Sequence, residues 1–282
     1  MRRVALIGHP LRRRHSEVMH NAAFSARGID ARYELRDIGE EELAGFVAET
    51  RSPEWFGFQI TAPYKQAIVQ FLDKVEEAAR LIGAVNSVER RDDGTLIGFN
   101  TDAPGFRAAV EEQLGVNLAE AAVTVAGAGG VAHAIVYALL HAGAPRVVIG
   151  ARNREAAERL AGRYPDAGGR VRPVSLADPA FSDALAESEL VVNATTVGMT
   201  SEGTAFSIDR VGPAAAVFDC VYIPAETELV RAARQRGLPA ANGAAMLVRQ
   251  AAIAFERWTG IGDVEPVMRD AVEPLLRESS EA

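Results

Sequence analysis

A glycine-rich segment, GAGGVA at residues 127–132, lies between two stretches of different hydrophobic periodicity. The apolar run Val123–Ala126 is typical of a buried strand, and Val131–His141 has the spacing of a helix. In such a unit Gly127 permits a tight turn, Gly129 lets a phosphate approach the backbone, and Ala132 allows close packing of helix on strand. The pattern predicts a dinucleotide-binding loop rather than a merely structural turn. Its candidate residues are Gly127, Ala128, Gly129, Gly130 and Val131.

The same strand–helix rhythm continues after the glycine loop. Further strands are predicted at Arg146–Ala151, Arg170–Val174, Leu190–Asn193 and Ala216–Asp219, with a helical stretch at Glu226–Arg236. Alternating strands and helices favour a parallel sheet covered on both faces. We therefore predict a doubly wound, Rossmann-type domain in this part of the chain.

The first hundred residues predict a second α/β unit. Strands are expected at Arg3–Gly8, Ala31–Arg36 and Phe56–Ile60, and a hairpin at Val85–Arg90 and Leu96–Phe99. Helices are expected at Ser16–Arg27, Glu40–Glu49, Pro63–Leu72, Asp102–Gln113 and Gly243–Trp258. The alternation predicts a mainly parallel sheet, and the fold class is α/β with two domains.

The end of the second strand of the βαβ unit indicates which dinucleotide is bound. An Asp or Glu there would bind the ribose 2′-hydroxyl of NAD and repel a 2′-phosphate. The chain instead has Arg152, Asn153 and Arg154, and arginine forks can bind a phosphate. The alternative is a solvated arginine pair, which the dipole at a helix start disfavours without an anionic ligand. We predict NADP as the cofactor.

Composition and charge exclude several classes of protein. The formal net charge of −8 disfavours binding to nucleic acid, because that requires a broad basic surface. Cys220 is the single cysteine, so neither an internal disulfide nor a cysteine-based zinc cluster is expected, and His15 and His20 are too few to suggest a metal site. No apolar run is long enough for a membrane span. We expect a cytoplasmic protein that is a monomer or a homodimer.

Several further segments, taken together, resemble shikimate dehydrogenase over nearly the whole chain. They include residues 8–10 (GHP), 61–66 (TAPYKQ), 83–87 (GAVNS), 98–102 (GFNTD), 193–199 (NATTVGM) and 242–243 (NG), together with Asp219, Tyr222 and Gln250. The resemblance implies a substrate-binding and catalytic domain at residues 1–103, completed by C-terminal helices within 240–282. It implies an NADP-binding domain at residues 104–239.

The resemblance also implies roles for individual residues. Lys65 and Asp102 would form the catalytic pair, since oxidising an alcohol requires a group that takes the hydroxyl proton. The substrate-binding residues would be Ser16, Gln59, Thr61, Asn86, Tyr222 and Gln250. Thr195, Gly198, Met199 and Gly243 would lie near the cofactor. Without the resemblance, Asn86 is an ordinary turn residue and Gln250 an ordinary polar residue on a helix.

The chain departs from the family pattern in the loop that binds the substrate carboxylate. That loop reads Gly-Asn-Pro-x-x-His-Ser-x-Ser-Pro in the family, whereas residues 8–17 read GHPLRRRHSE. A gapless register keeps Ser16 and places Arg14 on the first serine, and Gln59 stands where the family usually has asparagine. We predict that Arg14 faces the pocket and binds a carboxylate. The alternative is a solvated arginine run at Arg12–Arg14.

Three functions are compatible with these residues. The first is reversible, NADP-dependent reduction of 3-dehydroshikimate to shikimate, a small carboxylic acid. The second is oxidation of quinate or another cyclohexane carboxylate by a paralogue with the same catalytic pair. The third is a non-catalytic NADP-binding sensor, which would have no reason to retain Lys65 and Asp102 together.

Overall fold

The computed structural model describes residues 1–278, which divide into two compact units. The first unit comprises residues 1–102 and 248–275. The second comprises residues 103–247 and 276–278. Residues 240–247 were expected in the first domain, but they lie in the second unit because Ala240–Asn242 pairs with a strand of its sheet.

The first unit contains a mixed sheet of six strands with the order β2-β1-β3-β5-β6-β4. The strands are β1 Arg2–Gly8, β2 Ala31–Asp37, β3 Trp55–Ile60, β4 Lys74–Val75, β5 Ser87–Arg90 and β6 Leu96–Phe99. β2 and β3 are parallel to β1, as expected. β5 and β6 form the predicted antiparallel hairpin, which makes the sheet mixed. Helices α1 His15–Ala26, α2 Leu43–Glu49 and α3 Glu77–Ile82 also belong to this unit.

The second unit contains a parallel sheet with the order β12-β11-β10-β7-β8-β9. Its strands are β7 Ala122–Ala126, β8 Arg146–Ala151, β9 Val171–Ser175, β10 Leu190–Asn193, β11 Ala216–Asp219 and β12 Ala240–Asn242. The remaining helices are α4 Asp102–Leu114, α5 Gly130–Ala142, α6 Arg154–Ala161, α7 Pro179–Ala186, α8 Glu228–Gln235, α9 Ala244–Thr259 and α10 Glu265–Glu278. The chain runs from β7 outward to one edge and then from β10 to the other, so the predicted doubly wound fold is confirmed.

The C-terminal part of α9 packs against the hairpin of the first unit. The indole Nε1 of Trp258 donates to the carbonyl oxygen of Val88 at 2.9 Å. Gly57 is required there, because a Cβ at this position would lie 2.7 Å from that Nε1. Arg257 is paired with Glu89 at 2.6 Å. These contacts fix the segment of α9 that carries Gln250.

The helix predicted at Pro63–Leu72 is shorter and starts later than expected. Residues 62–66 form turns, and a 3-10 helix follows at Ala67–Phe71. The carbonyl of Lys65 accepts from the N–H of Val85 at 2.8 Å, so it bonds to a neighbouring loop rather than within a helix. This contact holds Lys65 beside the segment that carries Asn86. None of the helices within residues 1–278 is both long enough and apolar enough to span a lipid bilayer.

Candidate active site

Lys65 and Asp102 are in direct contact in the first unit. The Nζ of Lys65 donates to Oδ2 of Asp102 at 2.6 Å, and the side chains are 19% and 10% exposed. Lys65 lies on the turns after β3, and Asp102 is the first residue of α4. The side chain of Asn100 accepts from the N–H of Asp102 at 3.0 Å and so satisfies the first backbone donor of this helix. The local fold therefore places a cation and an anion together in a poorly hydrated position.

Asn86 fixes the carboxylate of Asp102. Its Nδ2 donates to Oδ1 of Asp102 and to Oγ1 of Thr101, each at 2.9 Å, and its Oδ1 accepts from the N–H of Thr101 at 2.9 Å. Both amide hydrogens are thus used within the protein. The structure therefore gives Asn86 a positioning role, in addition to the predicted contact with a substrate hydroxyl. Thr101, buried between them, was missed as a site residue although it lies inside the GFNTD segment.

Gln59 and Gln250 meet in the same buried region. The Nε2 of Gln59 donates to Oε1 of Gln250 at 2.9 Å. The Oε1 of Gln59 accepts from the hydroxyl of Tyr33 at 2.7 Å and contacts Nε2 of His20 at 3.2 Å. Thr61, half-buried, follows β3 directly, and its N–H donates to Ile7 at 2.9 Å. Neither Tyr33 nor His20 was predicted as a site residue, since nothing local in the sequence connects their side chains to Gln59.

The two buried rings beside Gln59 carry strongly shifted pKa values. Burial lowers the pKa of His20 to about 3, and its hydrogen bond to Gln59 opposes this shift. Burial raises the pKa of Tyr33 well above its ordinary value; a hydrogen bond with Ser16 lowers it, and the charge of Glu17 raises it further. Both rings are therefore neutral at neutral pH. They stack face to face with centroids 4.4 Å apart.

Arg14 is not the buried cation that was expected. Its side chain is 72% exposed, and its Nε donates to Oε2 of Glu17 at 2.6 Å. Arg14 precedes α1 by one residue, so its guanidinium reaches a carboxylate in the first turn of the helix. Ser16 lies between these two residues and bonds to Tyr33. The contact of Ser16 with the buried polar region is in place, and a contact of Arg14 with substrate stays a prediction.

The glycine loop of the second unit has the features that a dinucleotide requires. Gly127 has a φ of +120°, and a Cβ there would lie 2.7 Å from the carbonyl oxygen of Ala194. A Cβ on Gly129 would meet no atom within 4 Å, so space remains in front of α5. The first turn of α5 has no side-chain cap and no acidic residue. Its N–H groups suit a pyrophosphate, and Ala132 is fully buried against the sheet.

The end of β8 carries the residues predicted to bind a 2′-phosphate. Arg152 is exposed, and no acidic residue ends the strand. Asn153 caps α6 by accepting from the N–H of Glu155 at 3.0 Å. Arg154 is paired with Glu158 at 2.9 Å on the surface. Within residues 1–278, a helix neighbour forms an ion pair with Arg154 but not with Arg152.

A side-chain network shapes the loop after β10. The Oδ1 of Asn193 accepts from the N–H of Thr195 at 3.0 Å and from its hydroxyl at 2.7 Å. The Nδ2 of Asn193 donates to Oδ1 of Asp219 at 2.8 Å. Burial raises the pKa of Asp219, whereas hydrogen bonds from neighbouring donors lower it. Gly198 follows with a φ of +91°, so the loop conformation depends on glycine there.

The remaining predicted residues also belong to the second unit. Met199 and Tyr222 are half-buried. Gly243 approaches the chain so closely that a Cβ would contact the carbonyl of Cys220. Tyr222 is the one predicted substrate-binding residue that lies in this unit rather than in the first.

Three family models match successive parts of the chain. The model described as the shikimate dehydrogenase substrate binding domain matches residues 6–88. The model described as shikimate / quinate 5-dehydrogenase matches residues 108–200. The model described as the shikimate 5′-dehydrogenase C-terminal domain matches residues 243–273. Together they cover well over half of the sequence.

Individual proteins are similar over almost the full length. A shikimate dehydrogenase (NADP(+)) of Symbiobacterium thermophilum is 42% identical over 279 residues, 97% of this chain and 94% of that protein. One of Geobacillus kaustophilus is 39% identical over 275 residues, 96% and 98% of the two chains. The crystal structure of shikimate 5-dehydrogenase from Thermus thermophilus, in complex with NADP(H) and shikimate, has a TM-score of 0.85 at 34% identity and covers 97% of this chain and 99% of that chain. The chain therefore belongs to the shikimate dehydrogenase family.

Proposed function

We propose that this chain is an NADP-dependent shikimate dehydrogenase, which reversibly reduces 3-dehydroshikimate to shikimate. The observation that carries the proposal is the contact of Lys65 with Asp102 at 2.6 Å in a largely buried polar site. A dehydrogenase acting on an alcohol needs such a group for the hydroxyl proton. The high identity to proteins with this activity supports the same reaction here.

Lys65 and Asp102 handle the proton in this proposal. In the oxidising direction Nζ of Lys65 takes the proton of the reacting hydroxyl, and in the reducing direction it returns a proton to the carbonyl oxygen. Asp102 aims Nζ through Oδ2 and is itself held by Asn86 through Oδ1. When bound, NADP accepts or supplies the hydride. The protein thus contributes positioning and proton transfer at one atom, Nζ.

The polar residues around this pair bind the substrate. In the first unit, Thr61, Asn86 and Gln250 bind its ring hydroxyls, and Gln59 holds Gln250 in place. Tyr222, a residue of the second unit, stays a predicted substrate-binding residue. Ser16 and Arg14 bind its carboxylate. The identity to proteins named for shikimate, rather than quinate, favours shikimate as the substrate.

The second unit binds the cofactor. Residues 127–131 and the N-terminus of α5 receive the pyrophosphate, because the helix start lacks a side-chain cap and the loop leaves space there. Arg152, with Asn153 and Arg154 beside it, binds the 2′-phosphate. Thr195, Gly198, Met199 and Gly243 would hold the nicotinamide, which would carry the hydride. A cytoplasmic location and a monomeric or homodimeric state remain predictions from the sequence.

The test is a steady-state assay of the purified protein with NADP⁺ and separate cyclic acids. Reduction of NADP⁺ with shikimate, at a higher kcat/KM than with quinate, supports the proposal. A preference for quinate would favour the paralogue instead. Tight NADP⁺ binding without turnover of any acid would favour the sensor and overturn the proposal.

A further inference from the structure

A continuous chain of buried hydrogen bonds runs through the first unit to the catalytic pair. We call it the amide relay, and its members are at most 8% exposed. It comprises His20, Tyr33, Gln59, Gln250, Thr101 and Asn86, and it ends on Asp102. Buried polar networks of this kind fix the orientation of their members when every group is satisfied.

At one end of the relay, two groups determine how the side-chain amide of Asn86 is oriented. They are the backbone N–H of Thr101, which is a donor, and the carboxylate of Asp102, which is an acceptor. The backbone N–H of Thr101 can only donate, so the atom of Asn86 that it meets is the oxygen Oδ1. Nδ2 of Asn86 then faces Oδ1 of Asp102 and Oγ1 of Thr101, which suits a carboxylate acceptor. The hydroxyl of Thr101 accepts from Asn86, and its own hydrogen is directed to Gln250 at 3.4 Å.

The hydrogen bonds also define the amide orientations of Gln250 and Gln59. Oε1 of Gln250 accepts from the hydroxyl of Thr101 at 3.4 Å and from Nε2 of Gln59 at 2.9 Å. The other end of Gln59 is therefore its oxygen. It requires donors from both rings, the Tyr33 hydroxyl and Nε2–H of His20. The tautomer of His20 follows from this geometry.

We propose that His20 and Tyr33 are positioning residues that hold Gln59, and through it Gln250, in one amide orientation. With its oxygen committed to Gln59 and Thr101, Gln250 presents its N–H end to the substrate. It then acts as a donor to a ring hydroxyl oxygen. This inference rests on the proposed function for the identity of the substrate.

The relay contains a redundancy that makes it testable. Either ring donor alone suffices to keep the oxygen of Gln59 on its side, so losing one donor leaves the orientation intact. When both donors are lost, no hydrogen bond from the two rings holds the amide of Gln59 in one orientation, and Gln250 is no longer oriented through it. The expected signature is a double variant that is worse than the product of the two single variants.

The experiment compares Tyr33→Phe, His20→Phe and the double variant. Both replacements keep an aromatic ring for stacking. We expect each single variant to lower kcat/KM for shikimate about threefold or less, and the double variant about thirtyfold or more. The ratio of kcat/KM for shikimate to that for its 4-deoxy or 5-deoxy analogue should also collapse in the double variant. A merely structural defect would lower kcat/KM for shikimate and for the deoxy analogues by the same factor.

The matched control is Thr50→Val. Thr50 is fully buried in the same unit, and its hydroxyl donates only to the carbonyl of Val47 at 2.8 Å. The substitution Thr50→Val removes one buried hydrogen bond outside the relay, so kcat/KM and the ratios of shikimate to its deoxy analogues should stay at wild-type values. Strictly additive effects, or unchanged deoxy ratios in a folded double variant, would overturn the proposal.

Two further measurements keep the test decisive. If the double variant does not fold, Gln250→Glu replaces it, since glutamate keeps an oxygen for Gln59 but loses the N–H donors; retained deoxy selectivity would then contradict the proposal. Nitrogen-15 NMR of the wild-type protein, assigned with His20→Phe, should show His20 protonated at Nε2 and bare at Nδ1. The opposite tautomer would overturn the relay. This result does not depend on turnover, so it separates failure of the relay from failure of the proposed function.

Discussion

The ammonium group of Lys65 and the carboxylate of Asp102 form a hydrogen-bonded ion pair, with 2.6 Å between Nζ and Oδ2. Because they act as one unit on one proton, Lys65→Ala should lower kcat by on the order of 10²–10⁴, with little change in substrate binding. Asp102→Ala should have a similar effect, and the double variant should be far from additive. Steady-state kinetics with shikimate and NADP⁺ measures this, and near-normal turnover in Lys65→Ala would contradict the assignment.

Arg152 should determine the preference for NADP⁺. Arg152→Ala removes the exposed guanidinium at the end of β8 and should raise the KM for NADP⁺ while leaving that for NAD⁺ nearly unchanged. The control is Arg154→Ala, whose side chain is engaged by Glu158 and should matter less. Kinetics with each cofactor at saturating shikimate provides the comparison. Equal use of both cofactors by the unaltered protein would refute the role of Arg152.

The second unit was largely predictable from the sequence because its signals are local. An apolar strand, a glycine loop and a helix follow one another within residues 122–142, and Gly127 is demanded by the backbone itself. The hairpin around residues 91–94 was predictable for the same reason. In each case the residues that determine the structure are neighbours in the chain.

The amide relay was not predictable because its members come together only through tertiary contacts. Tyr33 lies on β2, Gln59 on β3 and Gln250 on α9, 191 residues after Gln59. The position of Arg14 was predicted by register, but a register does not specify where a long side chain points. Glu17, three residues on, decided that direction.

His20 should make the stability of the protein depend on pH. Burial lowers its pKa from 6.5 to about 3, whereas in the unfolded chain the ring takes a proton near its ordinary pKa. The unfolded state therefore binds more protons between these values, and stability falls as the pH falls. About 2 kcal/mol of the free energy of unfolding should be lost between pH 7 and pH 5 through this residue.

Urea unfolding at both pH values measures this contribution. Other groups also titrate, so the informative quantity is the difference between the wild-type protein and His20→Phe. The wild type should lose more stability than the variant over that range, and Thr50→Val should keep the wild-type dependence. An identical pH dependence in His20→Phe would show that the ring of His20 carries no such penalty.

Arg14 and Glu17 should together affect how well the negatively charged substrate binds. Both depart from the family pattern, which has serine and proline at these positions, and they contact each other at 2.6 Å. Glu17 is 17% exposed and lies close enough to Tyr33 to raise its pKa. Arg14→Ser would leave this carboxylate without its cation beside Ser16, so an anionic substrate should be repelled. We expect kcat/KM for shikimate to fall about three- to tenfold, less than for a buried pair because solvent screens the exposed guanidinium.

Adding Glu17→Gln to Arg14→Ser removes the repulsion and should restore most of the lost kcat/KM, whereas Arg12→Ser should have no effect. For the uncharged methyl ester of shikimate, at the same salt concentration, kcat/KM should be the same in all these variants, because the effect depends on the charge of the substrate carboxylate. If Arg14→Ser leaves kcat/KM for shikimate unchanged, or if Glu17→Gln gives no recovery, the pair belongs to the solvated surface and plays no part in binding the carboxylate.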